Sequence, residues 1–458
     1  MPSILTDQER FPLLSSEQIR RLRFWREHPA APRFNYACGD RLTAEGLDQV
    51  RAFERSLRRK PSLTKRQGTP SWLEEKTSRW LKTVPFYRSW NKGKNTFEEL
   101  NPFTREELRR SPWAFVPDDQ SLDELLVYRT TGTTGEAVNV LYHPVVPSMF
   151  LALVQRSLAG QGISLKGGEG VFMVLAGAQK SALTFVSAAS FLNGSAYIKL
   201  NLNPADWRRS DDRGAYLDAC RPEVISGDPV AFGELMSLQS SWRPKALINT
   251  SMTLLPGLRR ALEEHFMCPV FDVYSMTECR PIGVSTGKEF EVTAPDLHVE
   301  IFDQRGTPCL PGRRGEVVVS GGRNPFLPIL RYRTGDFAAL KVTKEGRRFL
   351  IDLEGRAPVV FQGMDGGGIN SIDVSRALKD IPLDRFSLFQ DRSGALIFSV
   401  RDAGEYRDRI SEALKELFGG RMKLTFQKLK EEQTRAGKAT SYSVEPGLRP
   451  GPLWKGGA

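Results

Sequence analysis

Over roughly the first 125 residues, apolar side chains recur at helical spacing with polar interruptions, and strand-like runs are few. That stretch predicts helices packed around something else. From about residue 126, short β-rich runs alternate with longer amphipathic segments: Val138 to Tyr142, Val171 to Ala176, Glu223 to Ser226 followed by Ala231 to Leu238, Ala246 to Ile248, and Val270 to Tyr274. Such alternation predicts α/β layering with substantial sheet. After residue 290 the character changes again. Leu297 to Phe302, Gly315 to Ser320 and Phe337 to Val342, with Gly and Pro turns between them, predict an antiparallel β-rich module.

A smaller unit begins near Gly355. Its pattern predicts a helix over Ile372 to Leu378, a strand Phe386 to Gln390, a turn at Asp391 to Gly394 and a strand Ala395 to Arg401. A second helix and a strand Lys423 to Lys428 follow. The second helix is the clearest element: Tyr406, Ile410, Ala413, Leu414 and Leu417 share one face, and Gly419-Gly420 stops it. The expected fold class is therefore α/β, with a large multi-layer amino-terminal domain (residues 1–354) that carries α/β sheets and the β-rich module. A small α+β carboxy-terminal domain (residues 355–458) completes it.

Composition narrows the classes. The chain has 458 residues, 40% of them hydrophobic, with 65 Lys plus Arg against 54 Asp plus Glu, a formal net charge of +11. This describes a folded, soluble protein of two or three domains. Cys38, Cys220, Cys268, Cys279 and Cys309 are odd in number, widely spaced and without a C-x-x-C pair, so neither a disulfide framework nor a zinc ribbon is expected. Asp7, Glu9 and Arg10 stand where a signal peptide would need its apolar core, and no apolar run approaches a membrane-spanning length, so a cytoplasmic location is expected and no membrane partner. Much of the basic excess is local, in Arg51, Arg55, Arg58, Arg59, Lys60, Lys65 and Arg66. With no interleaved aromatic platform, that run reads as a solvated face rather than a nucleic-acid surface. His28, His143, His265 and His298 show no metal-ligand spacing.

The densest polar signal is Tyr128-Arg129-Thr130-Thr131-Gly132-Thr133-Thr134-Gly135-Glu136. Glycine permits close approach and threonine supplies donors without bulk, so the loop can wrap an anion, with phosphate the natural guest. It is not a Walker A loop, because the G-x-x-x-x-G-K-[ST] pattern is missing and a strand follows. Further along lie Tyr274-Ser275-Met276-Thr277-Glu278, Leu330-Arg331-Tyr332-Arg333-Thr334-Gly335-Asp336, Leu353-Glu354-Gly355-Arg356 and Thr434-Arg435-Ala436-Gly437-Lys438.

In this order and at these separations the motifs resemble the adenylate-forming superfamily of acyl-CoA synthetases, nonribosomal adenylation domains and luciferases. Val84-Pro85-Phe86-Tyr87-Arg88, Pro102-Phe103-Thr104-Arg105-Glu106-Glu107-Leu108-Arg109 and Leu327-Pro328-Ile329 point to its phenylacetate-CoA ligase-like subgroup. The resemblance covers roughly residues 76 to 445. It implies ATP-dependent activation of a carboxylic acid to an acyl adenylate, then thioester formation with CoA, in a protein whose small domain is mobile. By the same resemblance, Thr130, Thr131, Gly132, Thr133, Thr134 and Gly135 hold the β- and γ-phosphates, Thr277 contacts the α-phosphate and Glu278 holds Mg²⁺. Tyr274 stacks beside adenine, Asp336 accepts from the ribose hydroxyls, Arg356 meets ribose and phosphate, and Lys438 is the mobile catalytic lysine. The implied cofactors are ATP, Mg²⁺ and CoA.

Three departures bear on the chemistry. Glu136 stands where the phosphate loop usually carries lysine, which places a repulsive carboxylate beside a polyphosphate unless it is paired or Arg129 substitutes. Pro358 follows Gly355-Arg356-Ala357 where the family has a polar hinge residue, and proline fixes φ. Asn249-Thr250-Ser251 replaces the Gly-Gly-Glu-like segment that lines adenine. These leave open a carrier-protein thiol or an amine as acceptor in place of CoA, and also a non-catalytic nucleotide-binding descendant of the fold. Phe172, Met173, Leu175, Phe185, Met252 and Met276 are the candidate acyl-pocket side chains and favour an aromatic or apolar acid. No pattern names an oligomeric partner.

Overall fold

Local signals start and stop the helices of the amino-terminal region. In the computed structural model, Thr6 and Ser15 each close a capping box at the head of α1 (Asp7–Arg10) and α2 (Ser16–Glu27). Further on come α3 (Ala44–Leu57), α4 (Ser71–Thr83) and α5 (Pro85–Trp90), the last begun by proline at its first position. In α6 (Arg105–Arg110) Thr104 caps the first turn and Glu107 reaches back to the Thr104 amide. The structure describes residues 5–57, 69–129, 138–168, 170–178, 182–292, 294–354, 359–370, 374, 377–378, 380–383, 386–401, 404–429 and 442–448.

The expected helical run is interrupted. Residues 31–43 form no helix and instead strap along a strand near the sheet edge. The Asn35 and Tyr36 amides donate to the Thr184 carbonyl at 3.2 and 3.1 Å, and the Asn35 side chain donates to Ala182 O and accepts from the Thr184 amide, both at 2.9 Å. Asp40 then accepts from the Ser190 amide at 2.8 Å. Such a segment has no hydrophobic period, because its backbone groups are satisfied by another strand and one amide side chain.

A hairpin of β1 (Leu126–Arg129) and β2 (Asn139–Tyr142) leads into α7 (Val145–Ala159). Next come β3 (Val171–Gly177), β4 (Phe185–Ala189), β5 (Ser195–Asn201), α8 (Asp212–Cys220), β6 (Val224–Gly227), α9 (Pro229–Met236), β7 (Ala246–Thr250), α10 (Pro256–Phe266) and β8 (Val270–Met276). The segment from Ala231 is thus helix, opened by Asp228 accepting from the Ala231 amide at 2.8 Å. Then follow β9 (Arg280–Ser285), β10 (Phe290–Glu291), β11 (Leu297–Phe302), β12 (Arg314–Gly321), β13 (Ile329–Val342) and β14 (Arg348–Glu354). Among the described residues, twelve of these strands form one hydrogen-bonded order, β11-β12-β13-β14-β10-β9-β8-β7-β6-β3-β5-β4. The stretch from β5 through β3, β6 and β7 to β8 is parallel, and the pairs around β11 to β14 are antiparallel, as the runs after residue 290 predict.

Parallel strands are covered on both faces. One face packs with Leu73, Trp80, Tyr87, Phe115, Val145 and Leu153, so the amino-terminal helices and α7 close it. The other packs with Phe11, which ends α1, and with Leu22, Tyr216, Phe232, Leu258 and Leu262 from α2, α8, α9 and α10. No helix of the described residues is long and apolar enough to cross a membrane.

The carboxy-terminal segment pairs β15 (Val360–Gln362) with β16 (Gly368–Asn370) and forms a four-stranded sheet from β17 (Phe386–Gln390), β18 (Leu396–Val400), β19 (Leu424–Lys428) and β20 (Tyr442–Val444). Helix α11 (Arg407–Phe418) buries Ile410, Leu414 and Phe418 against it, the face its spacing predicts. Most of the expected helix Ile372 to Leu378 lies outside the described residues. Leu255 joins this third core, and Arg260 to Asp380 and Arg401 to Glu234 bridge to the larger part, each at 2.7 Å.

Candidate active site

Ligands of open α/β sheets bind beyond the carboxyl ends of the parallel strands. Strand β8 ends there at Met276, so Tyr274, Thr277 and Glu278 all lie at that edge. The far strand β13 delivers Asp336 to the same place. The Tyr274 hydroxyl donates to Asp336 Oδ2 at 2.7 Å, which joins two motif residues 62 positions apart in sequence. Burial pushes the Tyr274 phenol well above its ordinary pKa, and the Asp336 charge adds to the shift. Tyr274 therefore stays a neutral donor.

The turn that presents Asp336 is built by its own motif. Arg333 Nε donates to Glu316 Oε2 at 2.7 Å, and the Gly335 amide donates to Glu316 Oε1 at 3.1 Å. Thr334 Oγ1 donates to the Val317 carbonyl at 2.8 Å and accepts from the Asp336 amide at 3.1 Å. Gly335 takes φ +74°, a region where glycine carries no Cβ penalty. The motif's residue types thus fix a bulged strand that aims one carboxylate.

Glu278 is 2% exposed. Its Oε1 accepts from the Tyr332 hydroxyl at 3.0 Å and from Arg105 Nη1 at 3.1 Å. Tyr332 is also buried, its phenol pushed far up first by desolvation and then by the Glu278 charge. The Thr277 carbonyl accepts from the Tyr142 hydroxyl, so the strand that follows the Thr- and Gly-rich motif is fastened to the strand end that bears Thr277. Arg280 sits in the left-handed region at φ +63° with its guanidinium 4.7 Å from the Tyr142 ring centroid and 5.2 Å from that of Tyr128.

Thr130, Thr131, Gly132, Thr133, Thr134, Gly135 and Glu136 lie outside the described residues, as do Arg356, Pro358 and Lys438. The hairpin strands flanking the loop, β1 and β2, are described, and Arg129 ends β1. Asn249, in the segment expected beside adenine, donates through Nδ2 to Met252 O and to Asp272 Oδ1, both at 2.8 Å. Desolvation raises the Asp272 pKa to about 6. Of the acyl-pocket candidates, Phe172 and Met173 are buried in the core, and Leu175, Phe185, Met252 and Met276 are half-buried.

Arg105, Tyr332, Tyr142 and Glu316 carry no role in the sequence reading, although Arg105 and Tyr332 lie inside quoted motifs. A period-2 count along Arg331 to Arg333 separates Tyr332 from its two arginine neighbours. No comparable local pattern marks Arg105, whose partner is 173 residues away.

No profile of a known protein family matches the chain. Phenylacetate-coenzyme A ligase of Thermus thermophilus is 25% identical over 288 residues, 56% of this chain and 61% of that protein. Protein CapK of Staphylococcus aureus is 24% identical over 179 residues, 37% of this chain and 39% of that protein. The chain thus matches less than two thirds of the length of either relative. Among solved structures, 2-hydroxyisobutyryl-CoA ligase in the postadenylation state, in complex with 2-HIB-AMP, superposes with a TM-score of 0.60 at 16% identity. The match covers 85% of this chain and 94% of that one.

The chain has the fold of the adenylate-forming superfamily. The same ligase in complex with 2-HIB-AMP and CoA, in the thioesterification state, matches at a TM-score of 0.50 and 17% identity over 88% of this chain and 90% of that one. Members of the superfamily pair a large amino-terminal domain with a smaller carboxy-terminal one, and the mixed α/β architecture described above follows that plan.

Proposed function

We propose that the protein uses ATP to convert a carboxylic acid, aromatic or apolar, into an acyl adenylate and then passes the acyl group to CoA. The observation that carries this reading is the meeting of Tyr274, Asp336, Thr277 and Glu278 at one sheet edge, beside the hairpin that bears the Thr- and Gly-rich loop. Displacement at the α-phosphate brings two anions together, so the site must supply donors and cations. Asp336 would accept from the ribose hydroxyls, and Tyr274 would flank adenine while holding the Asp336 carboxylate in position. Thr277 would contact the α-phosphate, and Thr130 to Gly135 the outer phosphates. Arg356 would meet the ribose, and Lys438 would bridge the α-phosphate and the acid carboxylate.

The hard carboxylate oxygens of Glu278 fit Mg²⁺. Mg²⁺ bound with the nucleotide would neutralise phosphate charge. Because Glu278 Oε1 is already held by Arg105, the guanidinium must release that carboxylate or share it when the metal–nucleotide complex arrives. CoA as acceptor is supported by the names of the Thermus relative and of the 2-hydroxyisobutyryl ligase. The boundary near Gly355 would separate the nucleotide-binding part from a unit that brings Lys438 to the site.

Carboxylate-dependent exchange of pyrophosphate into ATP tests the first step: it should appear with some aromatic acid, and its absence across a broad acid panel overturns the proposal. Lys438→Ala should abolish exchange while sparing thioester formation from a supplied acyl adenylate. Equal loss of both half-reactions would count against the role given to Lys438. Mass detection of the product with CoA, an amine or a carrier protein identifies the acceptor.

A further inference from the structure

Arg280 stands in a backbone conformation that its sequence resists. At φ +63° its Cβ crowds the following carbonyl oxygen, and a residue that precedes proline, as Arg280 precedes Pro281, is pressed toward extended backbone. A buried clamp holds it there. Arg323 Nη1 donates to the Cys279 and Pro281 carbonyls on either side of it at 2.9 and 3.3 Å, and the same guanidinium is locked onto Asp296 at 2.9 and 2.8 Å. Strain fixed this firmly points to a function for the side chain that it aims.

That side chain is a cation without an acid. Arg323 has Asp296, Arg331 has Glu300, and Arg105, the other guanidinium at this strand end, has Glu278. Arg280 lies instead against two aromatic rings, 4.7 Å from the Tyr142 centroid and 5.2 Å from that of Tyr128, and the two centroids are 4.7 Å apart. Among the described residues its guanidinium makes no ion pair or hydrogen bond, and its Nε is buried. Ring faces position a guanidinium without using its N–H donors, which leaves them for an acceptor. The place is the reaction edge. The strand pair sets Arg280 directly opposite Met276, a half-buried candidate wall of the acyl pocket, so the two side chains leave one face. Thr277 and Glu278 stand in the turn between them, and the nearer of the two rings ends in the hydroxyl that donates to the Thr277 carbonyl.

We propose that Arg280 receives the carboxylate of the acid substrate and holds it beside Thr277, with Tyr128 and Tyr142 as the aromatic support that fixes the guanidinium. Attack at the α-phosphate brings two anions together, and a preplaced cation at their meeting point lowers the repulsion between them. Aromatic surroundings strengthen a charge-assisted hydrogen bond and suit a ring on the same acid. The assignment rests on the acid-activating reading above and names the residue that binds its substrate. A phosphate of ATP offers the same oxyanion chemistry, and the experiment separates the two sources.

The test uses the full chain, the acids of the exchange panel, benzoate and phenylacetate among them, and their primary amides, which keep the shape without the charge. Thermal shifts with each compound, with and without the α,β-methylene analogue of ATP, read binding, and pyrophosphate exchange reads the KM values. Acids should stabilise the native protein more than amides do. Arg280→Met, which keeps the packed stem, and Arg280→Gly, which suits the left-handed backbone, should both erase that difference. Both should also raise the KM for the acid by about tenfold or more, as expected for one charge-assisted hydrogen bond. The KM for ATP should stay within about threefold, and Arg280→Lys should recover part of the acid's affinity. A preference for acid over amide that survives in both variants overturns the proposal. So does a rise in the KM for ATP with the KM for the acid intact, which assigns Arg280 to the phosphates. If no acid supports exchange in the native protein, the acid-activating reading falls. The thermal shifts then decide the site: a preference for acid that both variants lose supports it, and equal shifts, or none, overturn it.

Discussion

His298 shows how much a single buried side chain can weigh. It lies on β11 with its ring edge-on to Phe97 at 5.7 Å, and its Nδ1 is buried without a partner among the described residues. Burial first, and then the charges of Arg348 and Arg331, lower its pKa to about 3. The native state therefore refuses a proton that the unfolded chain accepts near pH 6.5. Between roughly pH 6.5 and 3 the unfolded state binds more protons, so stability contributed at neutral pH is lost as pH falls. In urea titrations at pH 6.5, 5.5 and 4.5, His298→Leu should flatten this decline by up to about 1.4 kcal/mol per pH unit. Parallel curves for the two proteins would show that the ring is not held neutral. The sequence reading assigns His298 nothing, since one histidine in an alternating strand carries no mark of the arginines that fold against it.

At the scale of elements, Arg331 joins the amino-terminal helices to the antiparallel strands. It adopts φ +56°, and its guanidinium donates to the carbonyls of Glu98 and Leu100 at 2.8 and 3.1 Å as well as to Glu300. Its backbone carbonyl accepts from the Phe103 amide at 3.1 Å. Arg331→Met leaves the half-buried Glu300 carboxylate with only the Arg348 charge near it, and should destabilise the protein by about 3 kcal/mol in chemical denaturation. Adding Glu300→Gln should recover part of that loss, and no recovery would place the cost in the lost carbonyl contacts instead. Elements with a strong period were legible: the α11 face, the strands at Leu297, Gly315 and Phe386, and the β8 segment that ends in Tyr274 to Glu278. Strands β4 and β5 were not, because Phe185 to Ala189 is short and rich in small residues, and β5 mixes Lys199 into an apolar run. The motif residues could be found because residue type and order carry their chemistry. Arg105 gains meaning only from the Glu278 carboxylate that the fold brings to it.

Across the whole molecule, the carboxy-terminal segment meets the large sheet's helices through a close backbone approach. A Cβ built on Gly257 of α10 would come within 2.7 Å of the Ile381 carbonyl oxygen, and Leu255 two residues earlier packs in the carboxy-terminal core. Nearby, a cleft of about 460 Å³ is lined by Arg260, Glu264, Asp380 and Arg409. Gly257→Ala must therefore push the two parts apart, and should lower stability by about 1–3 kcal/mol in denaturation. Gly287→Ala, where an added methyl would meet nothing within 4 Å, should stay within about 0.5 kcal/mol and serves as the control. Equal effects at the two positions would remove the contact from consideration.

The strap over residues 31–43 has a consequence of a different kind. It lies upstream of residue 76, where the motif-bearing region begins, yet it is tied to the two ends of β4 through Asn35 and Asp40. The motif-bearing stretch and the stretch that covers this sheet edge are therefore written in different parts of the chain. Substitutions in the strap leave Tyr274, Thr277, Glu278 and Asp336 untouched. The cover of this sheet edge can then drift over generations, or be exchanged by grafting about a dozen residues, while the order of the motifs stays constant.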